Sequence, residues 1–226
     1  IEHPYNLLEA HTDIENAFHA WRAAGLRTLT VGGDHSVSLP ILRAVAKHRG
    51  PLALVHIDAH CDTGDDYAGS RFHHGSPFRR AAEEGLIDPK RTVQIGIRST
   101  LSAADQWQFS YDSGMRVIKI EEIYKRGLDA AIAEARRVVG DSPCYVTFDI
   151  DSVDPAFAPG TGTPEIGGLT SLEALLLVRG LSGLNVISAD LVEVAPAYDP
   201  TNNTAFLAAN VMFELLCVMT GQQQPA

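Results

Sequence analysis

The stretch Leu52-Ala-Leu-Val-His-Ile-Asp-Ala-His-Cys-Asp62 decides the fold and points to the chemistry. Its first part, Leu52 to Ile57, is almost wholly apolar, the pattern of a strand covered on both faces in a parallel sheet. Asp58, His60 and Asp62 then follow at every second position. Residues i, i+2 and i+4 of an extended chain share one face, which predicts three side chains aimed together. The pattern recurs in Cys144 to Ile150, a further strand-like run that delivers Asp149 and Asp151. Acids and imidazoles gathered at strand ends repel one another or stay unpaired, at a substantial cost in free energy. A divalent cation removes that cost, so the two stretches predict a metal centre.

Outward from these stretches, strand-like and helix-like segments alternate. Leu26 to Val31 reads as a strand, followed by Gly32-Gly33 and a helix from Ser38 to His48, with Pro40 in a first turn that tolerates it. Pro77 to Glu84 reads as a helix, and Thr92 to Ile97 and Arg116 to Ile120 as strands. Leu128 to Val139 is an amphipathic helix stopped by Gly140. Ser171 to Leu181 is another, with Thr170 and Glu173 spaced as a capping box. Leu184 to Val194 contains a strand, Thr204 to Thr220 forms a closing helix, and the Gln222 to Pro225 tail reads as disordered. This alternation predicts an α/β protein, a three-layer α/β/α arrangement around a mainly parallel sheet. Ligands of such sheets bind outside the carboxyl ends of the strands. Gly32-Gly33-Asp34-His35, Asp58 to Asp62, Asp149 to Asp151 and Glu193 all follow strands, so they are expected at one sheet edge.

Composition narrows the class of function. A chain of 226 residues is read as a single domain over 1–226, and its opening on Ile1 suggests that an N-terminal segment is missing. Its net charge of −10 and lack of a basic stripe argue against nucleic-acid and anionic-membrane partners. Cys61, Cys144 and Cys217 are few, odd in number and widely spaced, which suggests a reduced, cytoplasmic setting. No apolar run is read as reaching membrane-spanning length, and no signal peptide is seen.

The candidate ligands are His35, Asp58, His60, Asp62, Asp149 and Asp151. Structural zinc sites close at four ligands, usually with thiolates, whereas an oxygen-rich set with some imidazole suits Mn²⁺ or Mg²⁺. Bridging carboxylates let such a set hold two ions about 3.5–4 Å apart. Other polar residues have simpler readings. Asp34 either turns the chain or caps the next helix, and Asp154-Pro155 is turn chemistry. His56 is read as a buried, hydrogen-bonded histidine, Cys61 as packing, and His73 and His74 by default as a solvated pair.

Gly32-Gly-Asp-His-Ser36, Asp58-Ala-His-Cys-Asp62 and Thr147-Phe-Asp-Ile-Asp-Ser-Val-Asp-Pro155 resemble the signature motifs of the ureohydrolase (arginase/agmatinase) family. The resemblance extends through Phe157 to Pro164, Gly167 to Thr170 and Leu191 to Val194. It implies two Mn²⁺ ions, with Co²⁺ or Mg²⁺ as substitutes. His35, Asp58, Asp62 and Asp149 would hold one ion and Asp58, His60, Asp149 and Asp151 the other, with Asp58 and Asp149 bridging. The implied reaction is attack of a shared hydroxide on a guanidinium carbon, with release of urea and an amine. Asp62 would steady the hydroxide, Glu193 would bind the guanidinium, and His74 would carry protons to the leaving amine. Gly160-Thr-Gly-Thr163, His74-Gly-Ser-Pro-Phe-Arg-Arg80 and Val194-Ala-Pro-Ala-Tyr-Asp199 resemble the agmatinase branch, implying agmatine as substrate and putrescine as product. The loop Ala68 to Phe72 departs from the arginase pattern, and Arg71 within it would favour a guanidino acid if it faced the substrate. A homo-oligomer, trimer or hexamer, is also implied.

Overall fold

The computed structural model describes residues 1–47, 49–100 and 106–221. Six parallel strands form one sheet: β1 (Thr28–Val31), β2 (Leu52–Ile57), β3 (Ile87–Ile97), β4 (Arg116–Lys119), β5 (Cys144–Asp149) and β6 (Val186–Val192), in the order β1-β6-β5-β2-β3-β4. Every residue of β2, β5 and β6 is buried, as expected where helices cover both faces.

The helices are α1 (Leu7–Ala23), α2 (Ser38–Ala46), α3 (Pro77–Glu83), α4 (Gln108–Ser113), α5 (Ile120–Arg126), α6 (Leu128–Val139), α7 (Ser171–Arg179) and α8 (Asn203–Thr220). Val55 and Ile57 of β2, Val146 and Phe148 of β5 and Leu191 of β6 join one core with residues of α5 to α8. Leu52, Leu54 and Tyr145 turn to the other face and pack with Phe18 of α1, Leu42 of α2 and Phe78 of α3. The three-layer α/β/α class is thus observed.

Several boundaries differ from the sequence expectation. Strand β3 starts at Ile87 rather than at the expected Thr92, because Leu52 pairs with Ile87 before the register shifts. Ile120 opens α5 rather than closing β4. Helix α2 is preceded by a 3₁₀ turn at His35–Val37 and ends at Ala46; the expected end at His48 and the Gln222 to Pro225 tail lie outside the described residues. Helices α1, α4 and α5 were not anticipated, since their apolar stripes are narrow or short. The capping box at Thr170 and Glu173 is formed on both sides. Contrary to the sequence reading, α8 is long and apolar enough by length and composition to cross a membrane; its Leu207, Val211, Leu215 and Val218 stripe is packed into the core.

The four strands that carry the polar motifs, β1, β6, β5 and β2, are consecutive in the sheet. Val31 is level with Leu191, Asp149 with Val192, and Ile57 with Phe148. The segments beginning at Gly32, Asp58, Asp149 and Glu193 therefore leave the sheet side by side.

Candidate metal centre and active-site cleft

Strand geometry does not bring the ligand candidates together in the manner expected. β2 ends at Ile57, residues 58–60 bend rather than continue the strand, and Asp62 is in the left-handed region at φ 49°. Alternation along an extended chain is therefore the wrong reason for their convergence. The operative geometry is a repeated aspartate turn. Asp58 Oδ1 accepts the His60 N–H at 2.6 Å, Asp149 Oδ1 accepts the Asp151 N–H at 2.8 Å, and Asp34 Oδ1 accepts the Ser36 N–H at 2.9 Å. An aspartate that bonds the backbone two residues on turns the chain tightly. Each strand end thereby presents the next ligand candidate to the same side, and Asp34 both turns the chain and caps the turn carrying His35.

Six side chains meet there. His35 Nδ1 lies 3.0 Å from Asp62 Oδ2, 3.1 Å from Asp149 Oδ2 and 3.2 Å from Asp58 Oδ2. His60 Nδ1 lies 3.0 Å from Asp151 Oδ2 and 3.4 Å from Asp58 Oδ1. Asp58 faces both histidines, one oxygen to each, which is the disposition of a bridging carboxylate. Asp149 faces the His35 side with Oδ2, while its other oxygen holds Asp151. His35, His56, Asp58 and Asp62 form one compact donor group, and Asp58, His60 and Asp151 a second.

The donor chemistry fits divalent ions. His35 Nδ1 is buried and makes no hydrogen bond, although three carboxylate oxygens surround it. Its Nε2 is 2.8 Å from Thr147 Oγ1, the outward contact by which a ligating imidazole keeps its other nitrogen free for an ion. Donor separations near 3 Å are the edges that metal–oxygen bonds of about 2.1 Å generate. The protonation equilibria show the same crowding. Burial opposes charge on His60, yet Asp151 and Asp58 push its pKa up to about 12. Burial and the charge of Asp58 push Asp151 up to about 6, and burial with Asp151 and Asp58 also raises Asp149.

Glu193 closes the cluster from β6. Its backbone is left-handed at φ 65°, and its N–H bonds Gly33 O at 2.9 Å. Two non-glycine residues with positive φ at one site, Asp62 and Glu193, mark backbone strain of the kind concentrated at functional sites. Glu193 Oε1 accepts the His35 N–H at 2.8 Å and lies 3.5 Å from His74 Nδ1. That carboxylate raises the pKa of His74, against the opposing effect of burial. His74 is therefore drawn into the site, while His73 accepts the Gly75 N–H on Nδ1. Cys61 packs with Ile97 and Val117, as expected.

A cleft of about 710 Å³ opens over the cluster, lined by His60, Asp62, His74, Asp149, Asp151 and Glu193 below, with Tyr67, Trp107, Asp66 and Glu165 among its other walls. Arg71 is absent from this wall; it is 58% exposed and pairs with Glu83 at 2.9 Å. Sequence reasoning missed Arg98. Its guanidinium donates to the main-chain carbonyls of Asp151, Ser152, Glu165, Ile166 and Gly96, tying the turn that bears Asp151 to the cleft wall. Asp154 ties the same wall through the N–H groups of Ala156, Gly167 and Gly168. The position of Arg98 directly after β3, at the motif-bearing sheet edge, was the available signal.

A parallel α/β/α sheet with a two-lobed aspartate–histidine cluster at its carboxyl edge defines a hydrolase-like metal-centre architecture. The Arginase family model matches residues 1–218, and the chain belongs to that family. It is 55% identical over 217 residues to a guanidinopropionase of Pseudomonas aeruginosa, covering 96% of this chain and 68% of that protein. It is 50% identical over 217 residues to the mitochondrial agmatinase of Gallus gallus, covering 96% and 64% respectively. Among solved structures, proclavaminate amidino hydrolase from Streptomyces clavuligerus superposes with a TM-score of 0.92 at 41% identity, covering 97% of this chain and 73% of that one. The chain thus spans roughly two thirds of the length of the curated relatives it matches.

Proposed function

We propose that this chain carries the active site of a metal-dependent ureohydrolase that cleaves a guanidino compound, agmatine by preference, to urea and an amine. The observation that carries the reading is the double donor cluster shared through Asp58 at the floor of the cleft. His35, Asp58, Asp62 and Asp149 would hold one ion, and Asp58, His60, Asp149 and Asp151 the other, Mn²⁺ being the ion that this oxygen-rich set suits. When bound, such a pair supplies Lewis-acid activation of water near neutral pH.

The remaining work falls to the chain. Glu193 offers a carboxylate to the planar guanidinium, which carboxylates recognise through paired hydrogen bonds. Its Oε1 is already held by the His35 N–H, so the group is fixed before substrate arrives. Asp62, locked in its left-handed backbone, faces His35 and can accept a proton from the attacking water. His74, half-exposed and favoured in its charged form by Glu193, holds a proton for the leaving amine.

Agmatine is supported by the cleft wall. Among the described lining residues there is no lysine or arginine, and the carboxylates of Asp66 and Glu165 on the wall favour a cationic tail. Arg71, the residue that would favour an acid, is engaged with Glu83 and Asp65. The guanidinopropionase relative supports a second reading, in which the tail is a carboxylate. The test is kcat/KM for urea release from agmatine, guanidinopropionate, guanidinobutyrate and arginine under one metal load. Agmatine should lead; preference for either guanidino acid selects the second reading, and no urea from any of them refutes both.

A further inference from the structure

His56 belongs by position to the donor group of His35, Asp58 and Asp62, yet its surroundings give it a different task. It is fully buried on β2, and its register partner on β3 is the equally buried Gln94. Gln94 Nε2 lies 2.6 Å from the Cys61 carbonyl and 3.0 Å from His56 Nδ1. A carbonyl only accepts, so the amide must present its NH₂ end there. The reversed amide would set two oxygens against each other at that spacing, and the present orientation holds although Gln94 Oε1 is left without a partner.

The consequence passes through the ring. A nitrogen facing an NH₂ group must accept, so His56 Nδ1 is unprotonated and the ring proton sits on Nε2. Nε2 is 2.6 Å from Asp58 Oδ2, to which it donates. The other Asp58 oxygen accepts the His60 N–H at 2.6 Å. Asp58 is thus gripped at both oxygens, and Phe78, 4.3 Å from the His56 ring centre, helps fix the plane of the imidazole.

We infer that Gln94 and His56 are positioning residues: the Cys61 carbonyl orients the Gln94 amide, the amide at Nδ1 and the Asp58 carboxylate at Nε2 together fix the His56 ring and its tautomer, and His56 holds Asp58 as a fixed acceptor facing both halves of the site. His56 is therefore a donor to a ligand candidate and not itself a ligand. The hydrogen-bond relay stands on this geometry alone; its effect on metal affinity rests on the function proposed above.

The test is long-range ¹H–¹⁵N correlation spectroscopy of the metal-free protein labelled at histidine nitrogens, with His56 assigned by His56→Gln. The wild-type protein should show His56 with its proton on Nε2 alone. A proton on Nδ1, or on both nitrogens, overturns the relay whether or not the protein makes urea. Gln94→Leu, which removes the donor at similar volume, should leave the ring proton on Nε2 facing Asp58 but release the ring from its second anchor, weakening Mn²⁺ binding ten- to a hundredfold, the range for partners that orient ligands. Unchanged Mn²⁺ affinity in a folded Gln94→Leu protein would overturn the inference.

Discussion

Replacing Arg98 by methionine tests how the cleft wall is held. The methionine fills much of the same volume but removes a guanidinium whose shortest bonds run to the carbonyls of Glu165 at 2.6 Å and Asp151 at 2.7 Å. Hydrogen bonds from a charged donor contribute about 1.5–3 kcal/mol each, so these two bring roughly 3–6 kcal/mol. The Glu165 bond is only part-buried, so water can replace the guanidinium there, which moves the expected cost toward the lower end, about 3 kcal/mol. For a chain of this size that corresponds to a fall in Tm of roughly 6–12 °C. Differential scanning calorimetry of the metal-free protein measures it directly. Arg98→Lys, a single point donor, should recover less than half of the loss, because one ammonium cannot span carbonyls on three segments. A second readout follows from the position of Asp151: Mn²⁺ affinity of the His60–Asp151 half should fall with the stability. A Tm change under about 2 °C for Arg98→Met, with unaltered Mn²⁺ binding, would refute the reasoning.

His74→Ala should retain bound metal and slow turnover by roughly 10²–10⁴-fold, and steady-state kinetics with metal analysis separates the two effects. Because Glu193 raises the pKa of His74, the proton-donating form persists above the ordinary histidine range and activity should fall as pH rises through that raised value. In a pH–kcat profile, Glu193→Gln should move this alkaline limb to lower pH; an unmoved limb would assign it to another group. Gly96→Ala should cost about 1–3 kcal/mol, because its backbone is at φ 100° and the new Cβ would sit 3.0 Å from the Asp58 carbonyl. Thermal unfolding and Mn²⁺ titration check that prediction together.

The central layer was legible in the sequence because burial on both faces leaves a plain signature. β2 matches its predicted range from Leu52 to Ile57, and α6 matches from Leu128 to Val139. Short elements with weak stripes were not legible: α4 has one buried residue, Ser110, and α5 only Ile120 and Ile123. The ligand candidates could be chosen by residue type and by their place after strands, but not for the right local reason. Alternation predicted that Asp58, His60 and Asp62 share a face, whereas aspartate-to-backbone bonds and a left-handed Asp62 gather them. The relation of His56 to Gln94 and the reach of Arg98 depend on register between strands remote in sequence, which no local pattern encodes. Arg71 could be judged only once its partners Glu83 and Asp65 were in place.

The two donor groups meet at Asp58. The most direct measurement is metal stoichiometry followed alongside urea release as the chelator-stripped protein is titrated with Mn²⁺. Two equivalents should bind per chain, with urea release from agmatine appearing as the second site fills, and Asp58→Ala should lose both ions and activity together. Urea release that persists after complete stripping, or an Asp58→Ala protein that still binds two equivalents, would contradict it.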